Sequence, residues 1–369
     1  MKKKVGIIGQ RGMVGSVLMD RMREENDFAD IDAFFFSTSQ VGQKAPTEAC
    51  EENLLDAMSI DQLKEMEVIL TCQGGDYTNK IHGPLRDSGW KGIWIDAAST
   101  LRMNADSCLV LDPINSSVIR DSLNRGIVDF AGANCTVSLL LMAIGGLLKS
   151  GLVDWVSTMT YQAASGAGAR NMKELLAQMG YISNKSEYQN ESTHILEIDK
   201  NVKSSFLDND FPDELFGAAL AGGIIPFIDS ELENGQSREE WKAMVEANKI
   251  LATDINPDAK NIAIDGTCVR VGAMRCHAQG LTVKLNKEVD EETIKECILS
   301  SNEWVRWIDN NKADSIKGLN SAYISGTLDI PIGRVRKMNL GPEYWNMFTV
   351  GDQLLWGAAE PLRRMLKII

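Results

Sequence analysis

The chain has 369 residues, and 38 Lys and Arg against 51 Asp and Glu leave a formal charge of −13. At about 100–200 residues per domain, two domains are expected. A composition of 44% hydrophobic and 24% charged residues is that of a globular protein with a sizeable core, which excludes disordered and collagen-like chains. The acidic balance argues against nucleic acid or an anionic membrane as a partner, since both attract Lys and Arg. A local basic pocket for a small anion stays open.

Cys50, Cys72, Cys108, Cys135, Cys268, Cys276 and Cys297 are scattered without a C-x-x-C pair, and only His82, His194 and His277 accompany them. No metal site is expected from that set, and reduced thiols fit a reducing compartment. The stretch Val5-Gly-Ile-Ile-Gly9 behind Lys2–Lys4 is too short for a signal-peptide core, and no run approaches the roughly 18 apolar residues of a membrane helix. A cytoplasmic protein is expected.

The first 130 residues alternate strand-like runs (Val5–Gly9, Ile31–Ser37, Val68–Cys72, Gly92–Asp96, Leu109–Asp112, Ile127–Ala131) with helical stretches such as Val14–Glu25, Ile60–Met66 and Tyr77–Asp87. Short unbroken apolar strands in βα order predict a Rossmann-like, doubly wound parallel sheet. After Asn134 an apolar helix, Thr136–Lys149, leads into longer alternating strands at Val153–Gln162, Thr267–Met274 and Gln279–Leu285. These predict an α+β domain with a mixed or antiparallel sheet. The polar segment Ser183–Asp213 lacks clear periodicity and reads as an excursion from the core. Gln353–Leu366 is a helix candidate able to return to the first domain. The expected division is therefore 1–133 for a nucleotide-binding domain, joined by the helix at about 354–369, and 134–353 for the second domain.

Behind the first strand stands Gly9-Gln-Arg-Gly12-Met-Val-Gly15, then a helix. Glycines so spaced permit a tight turn and a close approach of backbone to a pyrophosphate, which the helix N-terminus attracts. A glycine-rich packing turn would look the same, and the position at the first βα turn favours the cofactor. NAD-binding folds usually end the second strand with an acid for the ribose 2′-hydroxyl. Here Phe34–Phe36 runs into Ser37-Thr38-Ser39, and with Arg11 nearby these hydroxyls suit a 2′-phosphate, so NADP is favoured over NAD.

Cys135 lies in Gly132-Ala-Asn-Cys-Thr-Val-Ser138, where a strand pattern ends and the apolar helix begins. A thiol at a helix N-terminus is drawn toward the thiolate. Among the histidines, His277 follows a strand pattern carrying Arg270, which brings a cation and a titratable base to one sheet, an arrangement suited to a carboxylate-bearing substrate and acid–base chemistry. Glu239 and Lys242 are three residues apart and share a face if helical.

Taken in order, Gly9–Gly15, Thr71-Cys-Gln-Gly-Gly-Asp76, Asp96-Ala-Ala-Ser99, Gly132–Ser138, Tyr161-Gln-Ala-Ala-Ser-Gly166, Ser237-Arg-Glu-Glu-Trp-Lys242, Arg270–His277 and Gly351-Asp-Gln-Leu-Leu-Trp356 resemble the aspartate-β-semialdehyde dehydrogenases of Gram-negative bacteria over nearly the whole chain. The resemblance implies NADPH-dependent reductive dephosphorylation of L-4-aspartyl phosphate to L-aspartate 4-semialdehyde and phosphate. That step serves lysine, threonine, methionine and diaminopimelate synthesis. It further implies a Cys135 thioester, His277 as acid–base and Gln162 positioning the substrate. Arg270 would hold the α-carboxylate, Glu239 the ammonium, and Arg102 with Lys242 the phosphate. Arg11, Gly12, Met13, Val14, Thr38, Ser39, Gln73, Ser165, Gly166, Ala167, Gly168, Ala169 and Gln353 would hold the cofactor, and a homodimer would form on the second sheet. Ala167 stands where the family commonly has glycine. Two rivals share the fold: a reductase for another acyl phosphate or thioester, which would have no use for Glu239 if its substrate were N-acylated, and a non-catalytic NADP-binding scaffold.

Overall fold

The computed structural model describes residues 2–253 and 260–369. The first half forms one seven-stranded sheet from β1 (Lys3–Ile8), β2 (Ile31–Ser37), β3 (Leu55–Asp56), β4 (Val68–Thr71), β5 (Ile93–Asp96), β6 (Ser107–Val110) and β7 (Asp129–Gly132). Its order is β3-β2-β1-β4-β5-β7-β6, and every neighbouring pair is parallel. Consecutive side chains leave opposite faces. Ile7, Phe35 and Leu70 enter one hydrophobic cluster and Ile8, Phe36 and Ile69 another. Helices α1 (Met13–Glu24), α2 (Ile60–Leu63), α3 (Gly75–Asp87) and α4 (Asp112–Asn124) run between the strands. The sheet grows outward from β1 in one direction and from β4 in the other. A doubly wound sheet binds ligands at that switch, outside the carboxyl ends of its strands.

Several boundaries differ from expectation, β6 starting at Ser107 rather than Leu109 and α2 ending at Leu63 rather than Met66 among them. Asp112 opens α4 instead of ending a strand, because Pro113 sits in the first helical turn, where its missing N–H costs nothing. The last strand starts at Asp129, not Ile127.

Helix α5 (Cys135–Lys149) connects to a second seven-stranded sheet. Its strands are β8 (Val153–Gln162), β9 (Ile224–Ile225), β10 (Ala263–Val271), β11 (Cys276–Leu285), β12 (Val305–Trp307), β13 (Ile330–Met338) and β14 (Gly341–Asp352). The order is β12-β13-β14-β11-β8-β10-β9. The sheet is mixed: β8–β10 and β12–β13 pair parallel, the rest antiparallel. The expected strand to Met274 instead begins at Ala263 and stops at Val271. Between the strands lie α6 (Ala169–Ser186), α7 (Ile195–Ser205), α8 (Arg238–Leu251), α9 (Glu291–Leu299), α10 (Lys312–Gly318) and α11 (Ser321–Ile324). Residues of α5, α8 and α9 join one face of the sheet in a single core. The opposite face shows Met159 and Tyr161, 45% and 40% exposed.

The segment 183–213 is more regular than its sequence suggests, since it holds the end of α6 and all of α7, packed together. Ile195, Leu196 and Leu207 on it are exposed, so its helical period serves little burial. At the far end, a π-helical turn over Leu355–Ala359 precedes α12 (Glu360–Ile368). This helix packs back on α1, α4, β5, β6 and β7 of the first sheet. Buried charges lock it there: Arg363 donates to Asp27 at 2.9 Å and to Glu360 at 2.9 Å, and Arg21 reaches Glu360 at 3.0 Å. Among the described residues no helix is long and apolar enough to cross a membrane.

Removing one partner from a buried ion network strands the other. Asp27→Ala should therefore lower the urea-measured unfolding free energy by about 3 kcal/mol, the range for buried pairs. A midpoint unchanged from wild type would show that α12 is held by its apolar face alone.

Candidate active site

The loop after β1 is shaped by contacts that exclude side chains. Gly9 has φ +81°, and a Cβ on Gly15 would lie 2.0 Å from the Gly9 carbonyl oxygen. The turn closes with Gly12 N–H donating to that oxygen at 3.0 Å. A cavity of about 280 Å³ opens at the switch point, lined by Gly9–Gly12, Phe36–Ser39, Cys72 and Gln73. Among the described residues no carboxylate lines it; Thr38, Ser39 and the exposed Arg11 do. Gln73 Nε2 donates to Thr38 Oγ1 at 3.4 Å. The donors and the absence of acid fit a dinucleotide bearing a 2′-phosphate. Arg11, Gly12, Thr38, Ser39 and Gln73 meet there, while Met13 and Val14 begin α1 just behind the loop.

The second cavity, about 400 Å³, lies at one end of the mixed sheet, and strand register explains its contents. Arg270 on β10 pairs with Gln162 on β8. His277 on β11 pairs with Gly351 on β14, two residues before Gln353, while the next residue, Ala278, pairs with Tyr161. Four adjacent strands thus deliver Gln353, His277, Gln162 and Arg270 to one edge. Helix α5 packs on this sheet and brings Cys135 as its first residue. Cys135 Sγ stands 3.2 Å from His277 Nε2.

The Ala163 peptide fixes both flanking side chains. Its N–H donates to His277 Nδ1 at 3.0 Å, and its carbonyl accepts from Arg270 Nη1 at 2.9 Å. With Nδ1 accepting, the neutral ring carries its proton on Nε2, facing the sulfur. Burial, helped by the Arg270 charge, lowers His277 to about 3, so the ring is neutral at physiological pH.

Cys135 departs from the sequence expectation of a thiolate. Burial and the Glu239 carboxylate push its thiol up to about 12, against the pull of Arg270, Arg102 and Lys242. Its place at the helix N-terminus is as expected, and desolvation of the charged form is the largest influence on the thiol.

Glu239 is the hub of the polar lining. It accepts from Asn134 Nδ2 at 3.0 Å, Gln162 Nε2 at 3.2 Å and Lys242 Nζ at 3.1 Å. Lys242 also donates to Asp229 at 2.7 Å. Burial works against its charge, yet the Glu239 and Asp229 carboxylates hold its pKa above the ordinary lysine value. Arg102 reaches over from the first half of the chain and donates to buried Glu246 at 3.2 Å. Glu246 also accepts from Asn134 N at 2.6 Å, so Asn134, the N-cap of α5 and the residue before Cys135, is anchored by both Glu239 and Glu246.

Of the residues named from sequence, Arg102, Cys135, Gln162, Gly166, Glu239, Lys242, Arg270 and Gln353 line this cavity, with His277 behind the sulfur. Ser165 bonds Gln353 at 2.8 Å. Ala167 lies in the 3₁₀ turn Ala164–Ala167, and the positive φ of +115° falls on Gly168, so a methyl at 167 is tolerated. Gly168 and Ala169 lead into α6. Ser99, Asn134, Ile228, Asp229 and Gly357 also line the site and were not foreseen. Gly357 carried a signal in principle, because it lies one residue beyond Trp356 in a stretch already singled out. A Cβ there would sit 2.8 Å from Cys135 Cβ. His82 and His194 lie elsewhere, the first bonded to Asp129 at 3.0 Å and the second capping α7.

A dinucleotide crevice joined to a cysteine–histidine site flanked by anion-binding cations marks an oxidoreductase. Comparison with known proteins sharpens this. Residues 4–122 match the family model described as the NAD-binding domain of semialdehyde dehydrogenase, and residues 144–356 its dimerisation domain. The chain belongs to the semialdehyde dehydrogenase family. It is 51% identical to aspartate semialdehyde dehydrogenase from Francisella tularensis, with 100% of this chain and 99% of that one covered at a TM-score of 0.94. Aspartate semialdehyde dehydrogenase II from Vibrio cholerae, solved with ASA, is 22% identical at a TM-score of 0.79, with 100% and 98% covered. The Candida albicans enzyme solved with NADP is 15% identical at 0.62, again with 100% and 98% covered. At those two identities the likeness is one of fold.

Two outcomes test the geometry. A Cβ on Gly166 would meet Arg270 Nη1 at 2.7 Å and His277 Cε1 at 3.1 Å, so Gly166→Ala should lower kcat/KM by roughly ten- to a hundredfold through misplacement alone, with the unfolding midpoint little changed. Glu239→Gln removes an anion that raises Cys135, so iodoacetamide labelling of the Cys135 peptide at neutral pH should speed up in that variant. Slower labelling would mean that Glu239 does not restrain the thiolate.

Proposed function

We propose that this protein catalyses the NADPH-dependent reductive dephosphorylation of L-4-aspartyl phosphate to L-aspartate 4-semialdehyde and phosphate. The observation that carries the reading is the 3.2 Å contact of Cys135 with His277 in a cavity that also holds Arg270, Glu239, Arg102 and Lys242. The substrate has a carboxylate, an ammonium and a phosphate, and the cavity offers a charge of opposite sign to each. Arg270 takes the α-carboxylate as a planar fork, Glu239 the ammonium, and Arg102 with Lys242 the phosphate. An N-acylated amino acid would bring no ammonium to Glu239, whose counter-charge among the described residues would then be Lys242 alone, at 3.1 Å.

Cys135 attacks the acyl carbon and expels phosphate. The thiol proton ends on the departing group, so thiol and acyl phosphate become thioester and hydrogen phosphate. Gln162 positions the acyl group. His277, with its proton on Nε2, donates to the sulfur and then to the alkoxide at the former acyl carbon, where a fixed donor is worth most. Collapse of that alkoxide releases aldehyde and thiolate without a further base, and one proton taken up from solvent restores the Cys135 thiol. The base role that the resemblance gives His277 for the reverse reaction requires its Nε2 proton to leave first. Bound NADPH supplies the hydride that the thioester accepts and a free carboxylate would not.

Arg11, Gly12, Met13, Val14, Thr38, Ser39 and Gln73 hold the cofactor on the first sheet, with Ser165–Ala169 and Gln353 on the second. Residues 1–133 thus form the cofactor domain and 134–353 the catalytic and dimerisation domain. The family's dimerisation domain spans the second sheet, whose open face with Met159 and Tyr161 suits a homodimer. Reduced cysteines throughout accord with the cytoplasm.

Cys135→Ala should lose at least about four orders of magnitude in turnover, as removal of a nucleophile does, while still binding NADP by fluorescence. Mass spectrometry of wild-type protein quenched with substrate should map an acyl adduct to the Cys135 peptide. Turnover of another aldehyde in a panel where aspartate semialdehyde is inert would overturn the substrate assignment.

A further inference from the structure

Lys242 is held by two carboxylates, and only one of them has a part in the reaction as derived. Asp229 lines the same cavity as Glu239 and lies nearer the ammonium of Lys242, at 2.7 Å against 3.1 Å. Its backbone is left-handed, φ +73°, a region that Asp and Asn enter more readily than other side chains. The conformation is secured locally: Asp229 Oδ1 accepts from Ser230 N at 2.8 Å, and Arg238 N at the start of α8 donates to Ser230 O at 2.8 Å. Four residues earlier, β9 pairs Ile225 with Arg270 itself. The loop carrying Asp229 is therefore pinned between the carboxylate-binding arginine and the helix that bears Glu239 and Lys242.

Resting on the reading above, we propose that Asp229 is a specificity-determining residue: it draws Lys242 away from Glu239, leaving Glu239 negative enough to bind a substrate ammonium, and it tempers the affinity of Lys242 for phosphate. The site gives up some phosphate affinity in exchange for selection of a free amino group. Alone, Glu239 and Lys242 would neutralise each other at (i, i+3) on one helix face. With Asp229 as a second anion on Lys242, these three groups sum to −1 rather than zero, which favours a cation beside Glu239 and opposes an anion beside Lys242.

The test is Asp229→Asn, which keeps the size and the left-handed backbone and removes the charge. With NADP-loaded protein, the KM for L-aspartate 4-semialdehyde should rise and the dissociation constant of inorganic phosphate, measured by calorimetry, should fall, each by roughly three- to tenfold for one unit charge at this range. A loop that merely lost its shape would weaken both ligands. Both constants moving in the same direction, or neither moving, overturns the proposal. Absence of aldehyde turnover in wild type would sink the substrate reading instead, and the phosphate measurement would still decide the role of Asp229: unchanged or weaker phosphate binding in the variant rejects it.

Discussion

The site depends on one peptide group. Ala163 gives its N–H to His277 and its carbonyl to Arg270, and it can do so because β8 ends one residue earlier, between β10 and β11. The sheet thereby sets the tautomer of the imidazole and the direction of the guanidinium with a group that no substitution except proline removes. Cys135 reaches the same point by a separate route, as the first residue of a helix whose N-cap is tied to Glu239 and Glu246. The geometry of the site comes from where β8 and β10 stop and where β11 and α5 start.

Absent side chains matter as much as present ones. Gly166 and Gly357 approach the surroundings of Cys135 so closely that one methyl on either would displace Arg270, His277 or Cys135. Neither has a positive φ, so their requirement is space rather than backbone freedom. Gly357 lies in the π-helical turn, and wide turns of this kind are frequent at functional sites.

Most of this was legible in the sequence where a residue's role follows from its own element. The glycine loop, the apolar run of α5 and the strand ending at Gln162 announce themselves by composition and period, and the strand carrying Arg270 does so with its bounds misplaced. So does the pairing of Glu239 with Lys242, which needs only helical spacing. What escaped depends on distant chain. Asp229 and Ile228 sit in a loop with no period, Asn134 has no evident role until Glu239 is seen beside it, and α7 hides because its few apolar residues, Ile195 and Leu196 among them exposed, make no clear stripe. The protonation of Cys135 escaped for a related reason: a helix terminus is visible in sequence, whereas burial and a carboxylate from another element are not.

Helix α12 carries a consequence for the order in which the molecule is made. The sheet formed by residues 3–132 keeps part of its apolar face for a cover supplied by residues 360–368. During synthesis the first domain emerges early yet stays unroofed while more than 200 further residues are added, among them the whole second sheet. The two halves are therefore not independent folding units in time. The ribosome must finish the later one before the earlier one can close, and a chain released prematurely would leave Leu362 and Met365 missing from a core they are needed to seal.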